Sequence, residues 1–340
     1  MKKKRLFFSL ILFFFWLYCL YLVYQSTLSP VPTQPFFSEI KAQNKGQDST
    51  PFLPGAVNFT QNESCQSCHP EVYQEWLSSF HAKSWSNPDF QAHLNLYRAN
   101  ECLACHIPEP PLLRKEGPLQ FRNDKMDSGI SCLTCHLAPQ GIASVKDSLT
   151  NDAHSVLKNS DLQEDRLCLE CHQSIGKTFL QHKQPDQTCR GCHMPEIVRA
   201  SQKKGFSHRL LERDLPQFMK SVLDVELQQT PEAFSITISN PSIPHNIPGE
   251  RHFRILLLFV DIWSSDQNYP LASYREVIKD ISMFRKETLQ DKIQPGQKIS
   301  YRYFKQFGGY ARIRLVYKRF PGDLDSEGLE LKHLTLEFKS

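Results

Sequence analysis

Cys65-Gln66-Ser67-Cys68-His69 decides how this chain is read. The same pattern returns as Cys102-Leu103-Ala104-Cys105-His106, Cys132-Leu133-Thr134-Cys135-His136, Cys168-Leu169-Glu170-Cys171-His172 and Cys189-Arg190-Gly191-Cys192-His193. Ten of the 11 cysteines are spent this way. Random placement of the chain's cysteines and histidines gives on the order of 0.01 such matches, so chance is excluded. C-x-x-C-H is the attachment pattern of c-type haem. Two thiols three positions apart reach the two porphyrin vinyl groups from one side of a turn, and the next residue presents an imidazole to the iron. Zinc sites also use C-x-x-C pairs, and exported proteins use paired cysteines as disulfides. Neither chemistry requires a histidine after every pair. Five covalent haems follow, with His69, His106, His136, His172 and His193 as proximal ligands.

Outward from these motifs the chain divides into four parts. Lys2, Lys3, Lys4 and Arg5 precede an apolar run from Leu6 to Tyr24. As a helix, that run is about 28 Å long at ~1.5 Å per residue, enough to cross a hydrocarbon core. The positive charges in front of it place the amino terminus in the cytoplasm and the remainder outside. A cleaved signal peptide is the competing reading. The run ends Tyr21-Leu22-Val23-Tyr24, without the small residues a cleavage site needs, which favours an uncleaved anchor over residues 1–24. Cys19, between Tyr18 and Leu20, reads as a lipid-facing apolar residue. Residues 25–60, rich in Pro, Gln, Ser and Thr, read as a flexible linker reaching roughly 35 Å. The expected location is therefore the inner membrane, single-pass, with the haem region in the periplasm.

Residues 61–215 form the expected five-haem region, mainly helical or irregular. The sequence between motifs is short and polar. The porphyrins must supply the apolar interior, and the chain without them is not expected to fold. Pro70–Leu77 looks helical, with Val72, Tyr73 and Trp76 on one side. Residues 216–340 lack cysteine and carry runs rich in β-formers: Ser221–Leu227, Ala233–Ser239, Phe253–Trp263, Lys298–Phe304, Ala311–Tyr317 and His333–Phe338. Pro295-Gly296, Gly308-Gly309 and Pro321-Gly322 supply turns between them. Six or seven antiparallel strands in a β-sandwich are expected, by default as a scaffold over the haems. No catalytic triad, phosphate loop or nucleic-acid motif stands out. The basic stretch from Lys203 and Lys204 to Arg209 and Arg213 is read as pairing with haem propionates.

The haem segments resemble the cytochrome c-554 family of multihaem cytochromes. His69-Pro70 to His81, including Trp76-Leu77-Ser78-Ser79-Phe80-His81, is similar to that family's first haem segment. Gly129-Ile130-Ser131 before Cys132 resembles the third, and Leu167-Cys168 through His172-Gln173 the fourth. Cys189 to Pro195 resembles an extra, fifth site of larger relatives. The resemblance runs from residue 61 to about 320. It implies closely packed haems, most irons carrying a histidine on both faces. By the same resemblance His81 and His154 each ligate a haem attached elsewhere. His208 and His245 resemble ligand-bearing segments of larger relatives, although Pro244-His245-Asn246-Ile247-Pro248-Gly249 departs from the usual G-H-x-x-P-x-G. His93, His182 and His252 are expected to be solvated or packed on haem. Should a fifth distal histidine exist, His182 is the candidate. Otherwise the open iron is expected at Cys102, Cys105 and His106, which match a haem that is five-coordinate in the family.

Formal charge is +4, all of it accounted for by the four positives of the amino-terminal run. The remainder is neutral before haem. Five haems add about ten propionate charges against about one positive per oxidised iron, giving roughly −5 oxidised and −10 reduced. A basic partner surface is favoured. The leading expectation is a membrane-anchored electron relay between redox protein partners, or from a quinol-side donor. The alternative is an enzyme acting on a small nitrogen or sulfur oxyanion at one open haem, as in hydroxylamine oxidoreductase and other relatives. The absence of a C-x-x-C-K site argues against a cytochrome c nitrite reductase.

Overall fold

The computed structural model describes residues 62–338 apart from 98–99, 115, 148, 151–153, 211–214, 250–253, 267, 280–291, 306–307 and 320–323. The expected anchor and linker, and His252, lie outside the described residues. Among those described, no helix is long and apolar enough to cross a membrane.

The haem region is built from short helices. They are α1 (Glu63–Gln66), α2 (Pro70–Ser78), α3 (Pro88–Tyr97), α4 (Asn100–His106) and α5 (Cys132–His136), then α6 (Ser160–Gln163), α7 (Arg166–Leu169), α8 (Gln173–His182) and α9 (Cys189–His193). Proline at the first position of α2 has its φ set for a helix and lacks an N–H that would go unpaired there. Ser79 is extended and ends the helix. It therefore does not continue to His81, which sits in a following turn. Trp76 is buried and its indole N–H donates to the Ile130 carbonyl at 2.9 Å, tying α2 to the third motif.

The expectation of helices and loops alone was incomplete. Strands β1 (Leu137–Ala138), β2 (Gly141–Ser144), β3 (Leu149–Thr150) and β4 (Ser155–Lys158) form a small sheet in the order β1-β2-β4-β3, with β2 and β4 parallel. A further hairpin pairs β5 (Glu196–Val198) with β6 (Lys204–Phe206). These segments are two to four residues long, too short to show a hydrophobic period in sequence.

After α10 (Leu215–Val222) the chain becomes antiparallel β. Strand β7 (Asp224–Gln229), β8 (Ala233–Ser239) and β11 (Lys298–Phe304) form one sheet, ordered β11-β8-β7. Strand β9 (Ile255–Ser264), β10 (Ala272–Lys279), β12 (Gly309–Lys318) and β13 (Leu329–Glu337) form the other, ordered β10-β9-β12-β13. Alternate residues point inward. Leu258, Val260 and Ile262 oppose Leu315, Ile313 and Ala311 across β9 and β12. They share one core with Phe234, Ile236 and Ile238 of the other sheet. Burial of each large side chain there contributes about 1.5–3 kcal/mol. Two sequence expectations need correction. The run from Ser221 begins inside α10, because Met219 and Val222, three apart, share a helix face packed on that core. Strand β10 was missed, since Ala272–Lys279 is interrupted by Arg275 and Glu276 and has exposed Tyr274 and Val277.

By contrast, the apolar cluster of the haem region is small: Trp85, Phe90, Leu94, Leu103 and Ile107. Side chains alone do not fill the space among the five motifs.

Candidate haem site

The third and fifth C-x-x-C-H motifs are short helical turns whose first amides are held by distant or preceding side chains. Ser131 Oγ accepts from Thr134 N at 3.1 Å, while Thr134 Oγ1 accepts from Ser131 N at 3.1 Å, a reciprocal cap on the third motif. Asn62 Oδ1 accepts from Cys132 N at 2.9 Å. Thr188 Oγ1 accepts from Gly191 N at 2.9 Å, and the Asp165 carboxylate accepts from Cys189 N at 2.6 Å, fixing the fifth motif to the start of α7. Gly129 has φ +53°, and a Cβ there would lie 2.6 Å from the carbonyl oxygens of His81 and Ala82. Only glycine lets the strand entering the third motif approach the His81 turn, where Ile130 N donates to His81 O at 2.9 Å.

All fifteen motif cysteines and histidines line one continuous cavity of about 2420 Å³. That is several times the ~300–1,000 Å³ of a pocket for one drug-sized ligand. Four histidines from outside the motifs line it too, each facing a motif histidine. His69 and His154 have ring centres 6.4 Å apart. His81 and His172 are 6.3 Å apart, His136 and His208 6.1 Å, and His193 and His245 6.2 Å. Two imidazoles on opposite sides of one metal, each nitrogen about 2 Å from it, have centres about 6 Å apart. Hydrogen bonding orients several rings. Nδ1 of His136 donates to Ala143 O (2.7 Å), of His208 to Phe206 O (2.9 Å) and of His245 to Asn246 O (3.0 Å). A carbonyl only accepts, so Nδ1 holds the hydrogen and Nε2 keeps its lone pair. Burial pushes His81 down to about 3, and the nearby imidazoles of His172, His193 and His106 add to this. Burial also takes His193 and His208 down to about 4. Neutral imidazole is the form that binds iron.

The histidine of the second motif is held differently. His106 donates from Nδ1 to Ser84 O at 2.8 Å, and Phe90 stacks flat on its ring at 3.7 Å and 6°. His182 does not complete the set: it is exposed, with Nδ1 on Thr178 O at 2.9 Å. His333 is at the surface beside Glu330. His93 lies on α3, with its side chain outside the described residues.

Residues 64–137, which contain the first three motifs, match the family model of cytochrome c554 and c-prime. A penta-heme cytochrome c552 from Thermochromatium tepidum aligns with a TM-score of 0.58 at 17% identity, over 82% of this chain and 98% of that one. No curated protein matches.

The chain is a multihaem c-type cytochrome. Five haem c groups, each covalently held, are its cofactors. The remaining features of the cytochrome's cavity fit these groups. Buried Arg190 Nε and Arg254 Nη1, both on lining residues, have no hydrogen-bond partner among the described residues, as expected of donors for haem carboxylates. Arg254 and Arg319, from the β-sheet region, both lie 5.2 Å from the Phe80 ring centre, next to His81. His245 comes from the same region. That region therefore reaches into the cofactor cavity and is more than a cover.

The motifs also touch one another. Cys65 is within hydrogen-bonding reach of Cys132, Cys105 of Cys171, and Cys168 of Cys189. Cys135 is close enough to act electrostatically on Cys168 and Cys171. The first motif therefore neighbours the third. The third neighbours the fourth, and the fourth neighbours both the second and the fifth. Sequence reasoning missed this order, which no local pattern encodes. Also missed was Glu75, a buried carboxylate in α2 paired with Arg199.

Proposed function

We propose that this cytochrome is a periplasmic electron relay, anchored in the inner membrane by residues 1–24 and tethered by 25–60. Residues 61–215 carry the haems, and 216–340 brace them and complete one pair of ligands. It passes electrons between a quinol-side donor or another redox protein and a periplasmic acceptor, with no role for nucleic acid. The observation that carries this reading is the set of four facing histidine pairs in one cavity whose attachment cysteines meet motif to motif. Haem c supplies a one-electron ferric/ferrous couple at each site. The chain's part would be to hold four irons between neutral, pre-oriented imidazoles: His154, His81, His208 and His245 facing His69, His172, His136 and His193. Such a site needs little rearrangement on electron transfer. The cysteine contacts keep neighbouring attachment edges close, so that transfer between sites is short-range.

A second reading rests on the resemblance of the second motif, Cys102, Cys105 and His106, to a haem that is five-coordinate in the cytochrome c-554 family. An iron there with a free face could bind a small nitrogen or sulfur oxyanion, making the other four sites its supply line. Reductive titration and turnover assays separate the two. The relay reading expects five electrons taken up, rapid exchange with a quinol or small redox protein, and no catalytic consumption of nitrite, hydroxylamine or tetrathionate. Steady turnover of any of these, lost in His106→Ala, would establish the enzyme reading instead.

A further inference from the structure

An ion pair is buried beside one of the facing histidine pairs. Glu75 of α2 and Arg199, which follows β5, meet through two hydrogen bonds, Arg199 Nε to Oε1 at 2.9 Å and Nη2 to Oε2 at 2.8 Å. Their side chains are 5% and 8% exposed. Removing two charges from water is costly, and their attraction repays it only with good geometry and further hydrogen bonds. Those further bonds all converge on His208. Glu75 Oε2 also accepts from the His208 backbone N–H at 3.0 Å. Arg199 Nη2 also donates to Phe206 O at 2.8 Å, the carbonyl that accepts from His208 Nδ1. Gly205 admits this arrangement, since a Cβ there would lie 2.6 Å from Arg199 Nη1. The carboxylate and the guanidinium thus hold His208 by its backbone on one side and by the acceptor of its ring on the other.

We propose that Glu75 and Arg199 are positioning residues that set the ring orientation and donor strength of His208, and through it the potential of the haem held by Cys132, Cys135 and His136. The inference rests on the reading that His208 is the distal ligand of that haem. An outer partner of a metal-bound histidine tunes it through the hydrogen on its second nitrogen. Here Glu75 offsets the Arg199 charge at the Phe206 carbonyl and so preserves that oxygen's pull on the His208 N–H. Without the carboxylate, Arg199 competes for the oxygen, His208 becomes a weaker donor, and a negative charge near the iron is lost. Both changes favour the ferrous state.

The test uses the full-length five-haem protein, with potentiometry and electron paramagnetic resonance of the low-spin ferric haems. Glu75→Gln should raise one of the five midpoints by about tenfold in the oxidised-to-reduced ratio, ~59 mV for one electron. It should also shift the g-values of one low-spin signal. Glu75→Asp, which keeps the charge, should return the midpoint towards wild type. Should Glu75→Gln fold poorly around a lone Arg199, the double variant Glu75→Gln/Arg199→Gln, which buries no unpaired charge, should still show the altered g-values. Five unchanged midpoints and signals in the single or the double variant would overturn the inference. His208→Ala tests the underlying reading separately: one haem should turn high-spin, and a wholly low-spin His208→Ala would overturn the ligand assignment itself.

Discussion

His81 and His172 face each other with ring centres 6.3 Å apart and planes 25° apart, although His81 sits in the turn after α2 and His172 ends the fourth motif. A haem attached at Cys168 and Cys171 would thus take its distal ligand from the segment that follows another haem. His81→Ala should leave five haems attached and convert one from low-spin to high-spin, because attachment depends on the thiols and spin state on the sixth ligand. Intact mass and the near-infrared charge-transfer spectrum read the two effects. A wholly low-spin variant would mean that His81 is only packed in the cavity.

On the relay reading the fully reduced protein is expected to bind little carbon monoxide, since six-coordinate bis-histidine iron binds it poorly. His81→Ala should raise the stoichiometry by one. Absence of binding to the wild type would place an axial ligand opposite His106.

His245 should couple the sheet region to the haem region. His245→Ala is expected to make the haem at His193 high-spin, as read by magnetic circular dichroism. Leu258→Ala, in the shared core of the two sheets, should cost about 2–5 kcal/mol of stability by urea unfolding while all five haems remain attached. An unchanged haem spectrum in His245→Ala would leave the sheet region as a cover alone.

The cavity among the motifs is too large for its own side chains to close. Replacing all ten motif cysteines by serine should therefore leave residues 62–209 open to protease, with 224–338 the more resistant part because its core is built from its own strands. Limited proteolysis with mass mapping distinguishes this from a chain that folds throughout without haem.

The proposed anchor makes a plain demand of the native protein: recovery in the membrane fraction. Replacing residues 1–24 with a cleavable signal should move it, haems intact, to the soluble periplasm. Recovery of the unaltered protein as soluble would remove the anchor.

By itself, the sequence determined the number of haems and most strands of the two larger sheets, and it set the expectation of ten attachment cysteines and five proximal histidines. These are local properties. Attachment chemistry needs two thiols and an imidazole within five residues, and a long half-buried strand such as Arg312–Tyr317 displays its alternation wherever it lies. The tertiary structure decided which histidine faces which, that His182 turns outward, that the fourth motif touches the second and fifth, and that Glu75 and Arg199 grip His208. Each of these depends on residues far apart in the chain meeting around a shared cavity. Their positions follow from the packing of many short helices and two-to-four-residue strands, each too brief to carry a period of its own.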